Sequence, residues 1–173
     1  MAPQPAVADS SFLLSFGKAG KLDLLAKTPQ FQWRFTPIVR GELKTAPTRD
    51  AVERLVVAGV ILPIELDSDD ETALDLLAEW SEFVDPGEAE SIAVALARGW
   101  LVAIEDLNAR RLLDRRVGPG HWLNCADVLV AAVQAGGLSL QDADEIFHSL
   151  DVFYAYAKRG VSTLVQLSPK LKG

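Results

Sequence analysis

The chain has 173 residues, 49% of them apolar, and a formal net charge of −7. That is the length of one domain, able to bury about two thirds of its unfolded surface without disulfides or structural zinc. The single cysteine, Cys125, excludes an intramolecular disulfide and zinc sites built on paired cysteines, and with only His121 and His148 beside it a metal site must be made of carboxylates, which suit Mg²⁺ or Mn²⁺.

The excess of acid argues against broad, nonspecific nucleic-acid binding. No apolar run approaches the roughly 18 residues of a membrane span. Met1 to Asp9 lacks the basic and apolar regions of a secretory signal. The expectation is a soluble, cytoplasmic protein.

In chain order, Pro5 to Asp9 reads as a short strand and Ser10 to Lys18 as a helix that Leu22 to Lys27 continues past Gly20. Phe31 to Thr36 alternates apolar and polar residues as a half-buried strand does. Pro37 suits the first turn of a helix running to Lys44. Thr48 is a good N-cap for a helix whose stripe of Val52, Leu55, Val56 and Val57 stops at Gly59. Val60 to Leu66 reads as a strand, and Asp69 to Phe83 as an acidic amphipathic helix with Leu74, Leu77 and Trp80 on one face.

Asp85-Pro86-Gly87-Glu88 places a capping Asp, a Pro at the first helical position and a Glu three residues after the cap. The helix it opens, Ala89 to Arg98, is apolar almost all round and should be buried. Leu101 to Ile104, wholly apolar, fits the middle of a parallel sheet. Asn108 to Arg116 reads as a basic helix and His121 to Leu123 as a last strand. Asp127 to Ala135 and Leu140 to Leu150 read as helices joined at Gly136-Gly137, with Ser139 and Asp142 capping the second. Strands alternating with helices predict a three-layer α/β fold, a mainly parallel central sheet flanked by helices. Residues 1–150 form the domain in this reading, and 151–173 an extension packed on it or trailing it.

In an open parallel sheet, ligands bind beyond the carboxyl ends of the strands. Asp9 follows the first strand. Asp106, with Glu105 before it, follows Leu101 to Ile104, so neighbouring strands would bring these acids into one crevice. Glu42 lies on the helix after the second strand. Glu88 is spaced by four from Ile92 and Leu96 and points as those core residues point. Each acid also has a plainer use: Asp9 and Asp106 as N-caps, Glu88 in a capping box, Glu42 as an exposed partner of Arg40 or Lys44. Carboxylates that converge repel one another, and a divalent cation is the usual resolution.

The segments Val7-Ala8-Asp9-Ser10-Ser11, Pro37-Ile38-Val39-Arg40-Gly41-Glu42-Leu43, Gly87-Glu88-Ala89-Glu90-Ser91-Ile92-Ala93-Val94-Ala95 and Val102-Ala103-Ile104-Glu105-Asp106 occur in that order. Together they resemble the four acidic signatures of PIN-domain nucleases, over about residues 5–150. The Gly-Glu-Ala-Glu-x-Ile-Ala run and Asn108-Ala109-Arg110-Arg111 are similar to the branch related to VapC-type toxins.

The resemblance implies a PIN-like fold and a Mg²⁺- or Mn²⁺-dependent endoribonuclease, the toxin of a toxin–antitoxin pair. Asp9, Glu42, Glu88 and Asp106 would be its metal-binding, catalytic acids, and Ser11 would help hold the site. It further implies an RNA substrate, an antitoxin whose tail places an Arg among the carboxylates, and a homodimer. The apolar helices 69–83 and 127–135 would supply faces that need cover.

This chain departs from the family pattern in places. The third acid is often Asp, and Glu88 is one methylene longer. Glu90, two residues on, does not share its helix face. Glu105 adds a carboxylate where the family often has a neutral or basic residue, and Asp127 would support the site from a later helix. These departures leave room for an alternative, a PIN-like binding or scaffold module without catalysis. A phosphatase lacks support, because neither an Asp-x-Asp motif after the first strand nor a Gly-rich phosphate loop is present.

Arg110 and Arg111, on the helix after Asp106, are the candidates to hold RNA phosphates, while Arg115 and Arg116 read as a solvated face. Lys158, Arg159, Lys170 and Lys172 read as solubilising. Trp80 belongs to a helical core stripe. Trp100 and Trp122 flank strands and fit burial better than base stacking. Cys125 reads as a small buried residue, and the sequence assigns Asn124 no role.

Overall fold

A computed structural model describes residues 2–64 and 66–168. Lys170 and Lys172 lie outside the described residues, as does Glu65 within the expected third strand. The elements are β1 (Gln4–Ala8), α1 (Ser10–Lys18), a 3₁₀ helix (Leu22–Lys27), β2 (Phe31–Phe35), α2 (Pro37–Glu42), α3 (Ala46–Val57), β3 (Ile61–Pro63), α4 (Glu71–Trp80), α5 (Pro86–Ala97), β4 (Leu101–Ala103), α6 (Leu107–Arg116), β5 (Trp122–Leu123), α7 (Cys125–Gln134), α8 (Leu140–Ser149), α9 (Phe153–Ala157) and α10 (Leu164–Leu167). No helix among the described residues is long and apolar enough to cross a membrane.

The strands form one parallel sheet in the order β3-β2-β1-β4-β5. Alternate side chains feed two cores, as strand geometry requires. Ala6, Ala8, Trp33, Phe35, Leu101 and Ala103 pack with Phe12, Phe16, Leu129 and Phe147 on one face. Val7, Val102 and Ile104 pack with Trp80, Ile92 and Leu113 on the other. The result is the three-layer α/β fold. β3 ends in Pro63, tolerated because β3 lies at the sheet's edge and a proline there breaks no interior ladder.

Several local expectations are corrected. Gly20 adopts φ +66°, so α1 stops and Leu22–Lys27 forms a separate 3₁₀ turn instead of continuing it. Thr48 is not an N-cap. α3 starts earlier, after Thr45, and Thr48 is buried against Gly17, where a Cβ would stand 2.4 Å from its Cγ2. On α4 the buried positions are Ala73 and Trp80, whereas Leu74 is 38% exposed. The face is set by where α5 lies, not by the largest apolar residues. The apolar helix α7 is covered within the chain, with Val128, Leu129 and Ala132 fully buried, so it presents no unpartnered face. Beyond residue 150 the chain still packs on the domain: Leu164 is fully buried in the first core, and Phe153 and Tyr156 pack against it.

Candidate active site

The parallel register pairs Ala8 with Ala103, and the Asp9 N–H donates to the Ala103 carbonyl at 2.9 Å. β1 and β4 are therefore neighbours, and the chain's winding reverses between them, the place where open parallel sheets form a crevice. Asp9 caps α1 and is fully buried. Its Oδ2 accepts from the Ser11 N–H at 2.9 Å and the Ser11 hydroxyl at 2.6 Å, and that hydroxyl accepts from the Glu105 N–H at 3.0 Å. Ser11 thus ties the end of β1 to the end of β4. Oδ1 of Asp9 is buried without a hydrogen-bond partner among the described residues. Burial raises the Asp9 pKa, opposed by the Ser11 hydrogen bonds and reinforced by the Glu42 charge.

Glu88 sits one turn into α5, and its pKa is pushed up to about 7 by burial first, then by the charges of Asp9 and Asp106. A hydrogen bond from the Asp85 backbone opposes the rise. Asp106 caps α6, accepting from the Ala109 N–H at 2.7 Å.

Glu42 and Glu90 make a reciprocal arrangement. Oε1 of Glu42, on α2, accepts from the Gly87 N–H in the first turn of α5 at 3.1 Å. Oε2 of Glu90, on α5, accepts from the Ile38 N–H in the first turn of α2 at 3.2 Å. Each helix places a carboxylate on the other's unsatisfied N-terminal donors. Gly87 permits the contact: a Cβ there would stand 2.2 Å from Oε2 of Glu42. Ser11, Leu14, Glu42, Lys44, Asp85 and Glu88 are among the residues lining a groove of about 390 Å³.

A family model described as a PIN domain matches residues 5–161. The chain belongs to the PIN-domain family. No curated protein matches it. PIN domains are generally nucleases, and PIN nucleases typically use divalent metals.

In this PIN domain the donor set fits such a cation in part. The groups are hard oxygens, the charges of Asp9 and Asp106 add to the rise of the Glu88 pKa, and one buried oxygen of Asp9 has no partner among the described residues. Yet no three potential ligands among the described residues stand close enough to hold one ion. Asp9, Glu42 and Asp106 each spend an oxygen on a helix N-terminus.

The remaining predicted residues are placed as follows. Glu105 is buried, accepts a hydrogen bond from the Cys125 N–H at the start of α7, and burial raises its pKa. Asp127 completes a capping box with Asn124, accepting from the Asn124 N–H at 2.9 Å. Arg110 turns into the protein. Its Nη2 reaches the Glu105 carbonyl at 3.2 Å, and its guanidinium lies 5.0 Å from the Trp122 ring centroid. Arg111 is exposed and has no ion-pair partner among the described residues. Sequence reasoning missed Lys44 and Asp85 as lining residues and Asn124 as the cap of α7. Asn124 three residues before Asp127 was a readable capping-box signal.

Proposed function

We propose that this PIN domain is a metal-dependent endoribonuclease that hydrolyses a phosphodiester in the β1/β4 crevice, acting as the toxin of a toxin–antitoxin pair. The observation that supports it best is the buried Oδ1 of Asp9, without a hydrogen-bond partner among the described residues, near Glu88, whose pKa burial and the charges of Asp9 and Asp106 raise. Asp9, Glu88 and Asp106 would hold Mg²⁺ or Mn²⁺, with Glu42 at the groove wall. The cation supplies charge neutralisation at the phosphate and a water acidic enough to attack at neutral pH.

The chain's own groups do the rest. Ser11 fixes the orientation of Asp9. Glu88 gives up its carboxyl proton near neutral pH as positive charge arrives. Lys44 and Arg111 offer cations to the phosphates of the RNA. Glu90, Glu105 and Asp127 brace the helices that carry the site. A homodimer and an antitoxin tail with an Arg directed at the carboxylates complete this reading. Residues 1–150 form its catalytic unit, with the C-terminal segment packed against it.

One observation favours the alternative, a noncatalytic binding module: three of the four acids, Asp9, Glu42 and Asp106, are already engaged by helix N-termini. Calorimetric titration of Mn²⁺ separates the two. Binding by the wild type that is lost in Asp9→Asn and in Asp106→Asn is the expected result. No binding, or binding indifferent to both substitutions, supports the module instead.

A further inference from the structure

Asp106 faces the acidic crevice electrostatically, but its neighbour Glu105 lines a second cavity, of about 100 Å³, with Arg110, Leu107, Val152, Tyr156 and Arg159. Three of these residues, Val152, Tyr156 and Arg159, come from the C-terminal segment. The cavity is bordered by an ion pair that does not close. Nη2 of Arg110 stops 4.0 Å from Oε2 of Glu105, well beyond the ~2.8 Å of a closed guanidinium–carboxylate contact.

Both groups are held where they are. Oε1 of Glu105 takes the Cys125 N–H, while Nε and Nη2 of Arg110 reach the carbonyls of Asp106 and Glu105 at 3.4 and 3.2 Å. Oε2 of Glu105 is left buried with no hydrogen-bond partner among the described residues, although the side chains of Glu105 and Arg110 are only 5% and 11% exposed. Such an acceptor is costly unless something supplies donors to it.

We propose that this cavity binds a guanine base of the single-stranded RNA, next to the acidic crevice. The chemistry selects the base. An unpaired carboxylate oxygen has two lone pairs and wants two adjacent donors, which guanine offers as N1–H and the 2-amino group. Adenine and cytosine would turn a ring-nitrogen lone pair toward it, and uracil a carbonyl. The guanidinium beside the carboxylate matches guanine O6, the acceptor next to those donors. Tyr156 supplies an aromatic face, Leu107 and Val152 apolar walls, and Arg159 an exposed cation for the phosphate, the combination by which unstacked bases are held. Glu105 and Asp106 are consecutive, so the cavity and the acidic crevice are joined through the end of β4.

The inference rests on the ribonuclease reading, and its test is independent of metal and cleavage. Fluorescence anisotropy with the full chain in EDTA would compare labelled UUGUU, UUAUU, UUCUU, UUUUU and UUIUU, the last carrying inosine, which lacks the 2-amino group. The expected result is at least tenfold tighter binding of UUGUU than of the A, C and U forms, and at least threefold tighter than of UUIUU. In Tyr156→Ala, whose substituted side chain is only half-buried, the guanine preference falls below threefold while UUUUU affinity changes less than twofold. Affinities within threefold for all oligonucleotides, inosine equal to guanine, or a preference that survives Tyr156→Ala overturns the proposal. Those failures leave the Mn²⁺ titration untouched, and a failed Mn²⁺ titration leaves the guanine comparison untouched.

Discussion

Glu88 holds its proton in the folded chain to about pH 7, whereas an unfolded glutamate releases it near 4.5. Between those values the native state binds more protons than the unfolded one, so stability falls as pH rises through the window. The urea midpoint of the metal-free protein is expected to drop more between pH 5 and pH 8 than that of Glu88→Gln, and Mn²⁺ at pH 8 to restore it by binding the native state. Equal drops in the two proteins would remove Glu88 as the titrating group. Gly87→Ala makes a second, steric prediction. The added methyl meets Oε2 of Glu42, so the variant should lose about 1–3 kcal/mol to overpacking and bind Mn²⁺ more weakly. Calorimetry and thermal melting read both effects. The steric demand at Gly87 was not legible in the sequence, where it looked like helix-start punctuation, whereas Glu88 was legible both as one of the converging acids and as a capping-box glutamate. Both depend on side chains brought in from α2, β1 and β4.

The pairing of α2 with α5 rests on two hydrogen bonds given in opposite directions. Glu90→Ala removes the acceptor of the Ile38 N–H in a part-buried hydrogen bond, and should cost about 0.5–1.5 kcal/mol in chemical denaturation. If α2 is held by this bond, the same change weakens Mn²⁺ binding; unchanged affinity would assign Glu90 to stability alone. The elements themselves were mostly readable. Wholly apolar Leu101 to Ile104 announced a central strand, Pro37 and Pro86 marked two helix starts, and Ser139 with Asp142 marked a third. The misreadings share a cause. Thr48 has a cap's chemistry but is needed as a small surface against Gly17, and Leu74 follows the amphipathic stripe but lies outside the zone that α5 covers. Local pattern states what a residue can do, and packing selects among those uses.

The C-terminal segment belongs to the same core as the sheet, since Leu164 is fully buried there beside α7 and α8. Leu164→Ala should therefore cost about 2–5 kcal/mol and lower the melting temperature of the entire domain in one transition. A separate low-temperature transition would show the segment to be an independent appendage. The order of acids along the chain was legible, and a shared crevice followed on the condition that the first and fourth strands were neighbours, which their pairing meets. The inward turn of Arg110 was not, because Trp122 and Tyr156, which stand beside it, come from later in the chain.

The exchange between α2 and α5 joins residues 45 and 52 positions apart, and the crevice closes only when β4 pairs with β1. A growing polypeptide on the ribosome carries Asp9 and Glu42 long before Asp106 has been translated. Until β4 emerges the early acids have no crevice to share, so the site comes into being only late in synthesis.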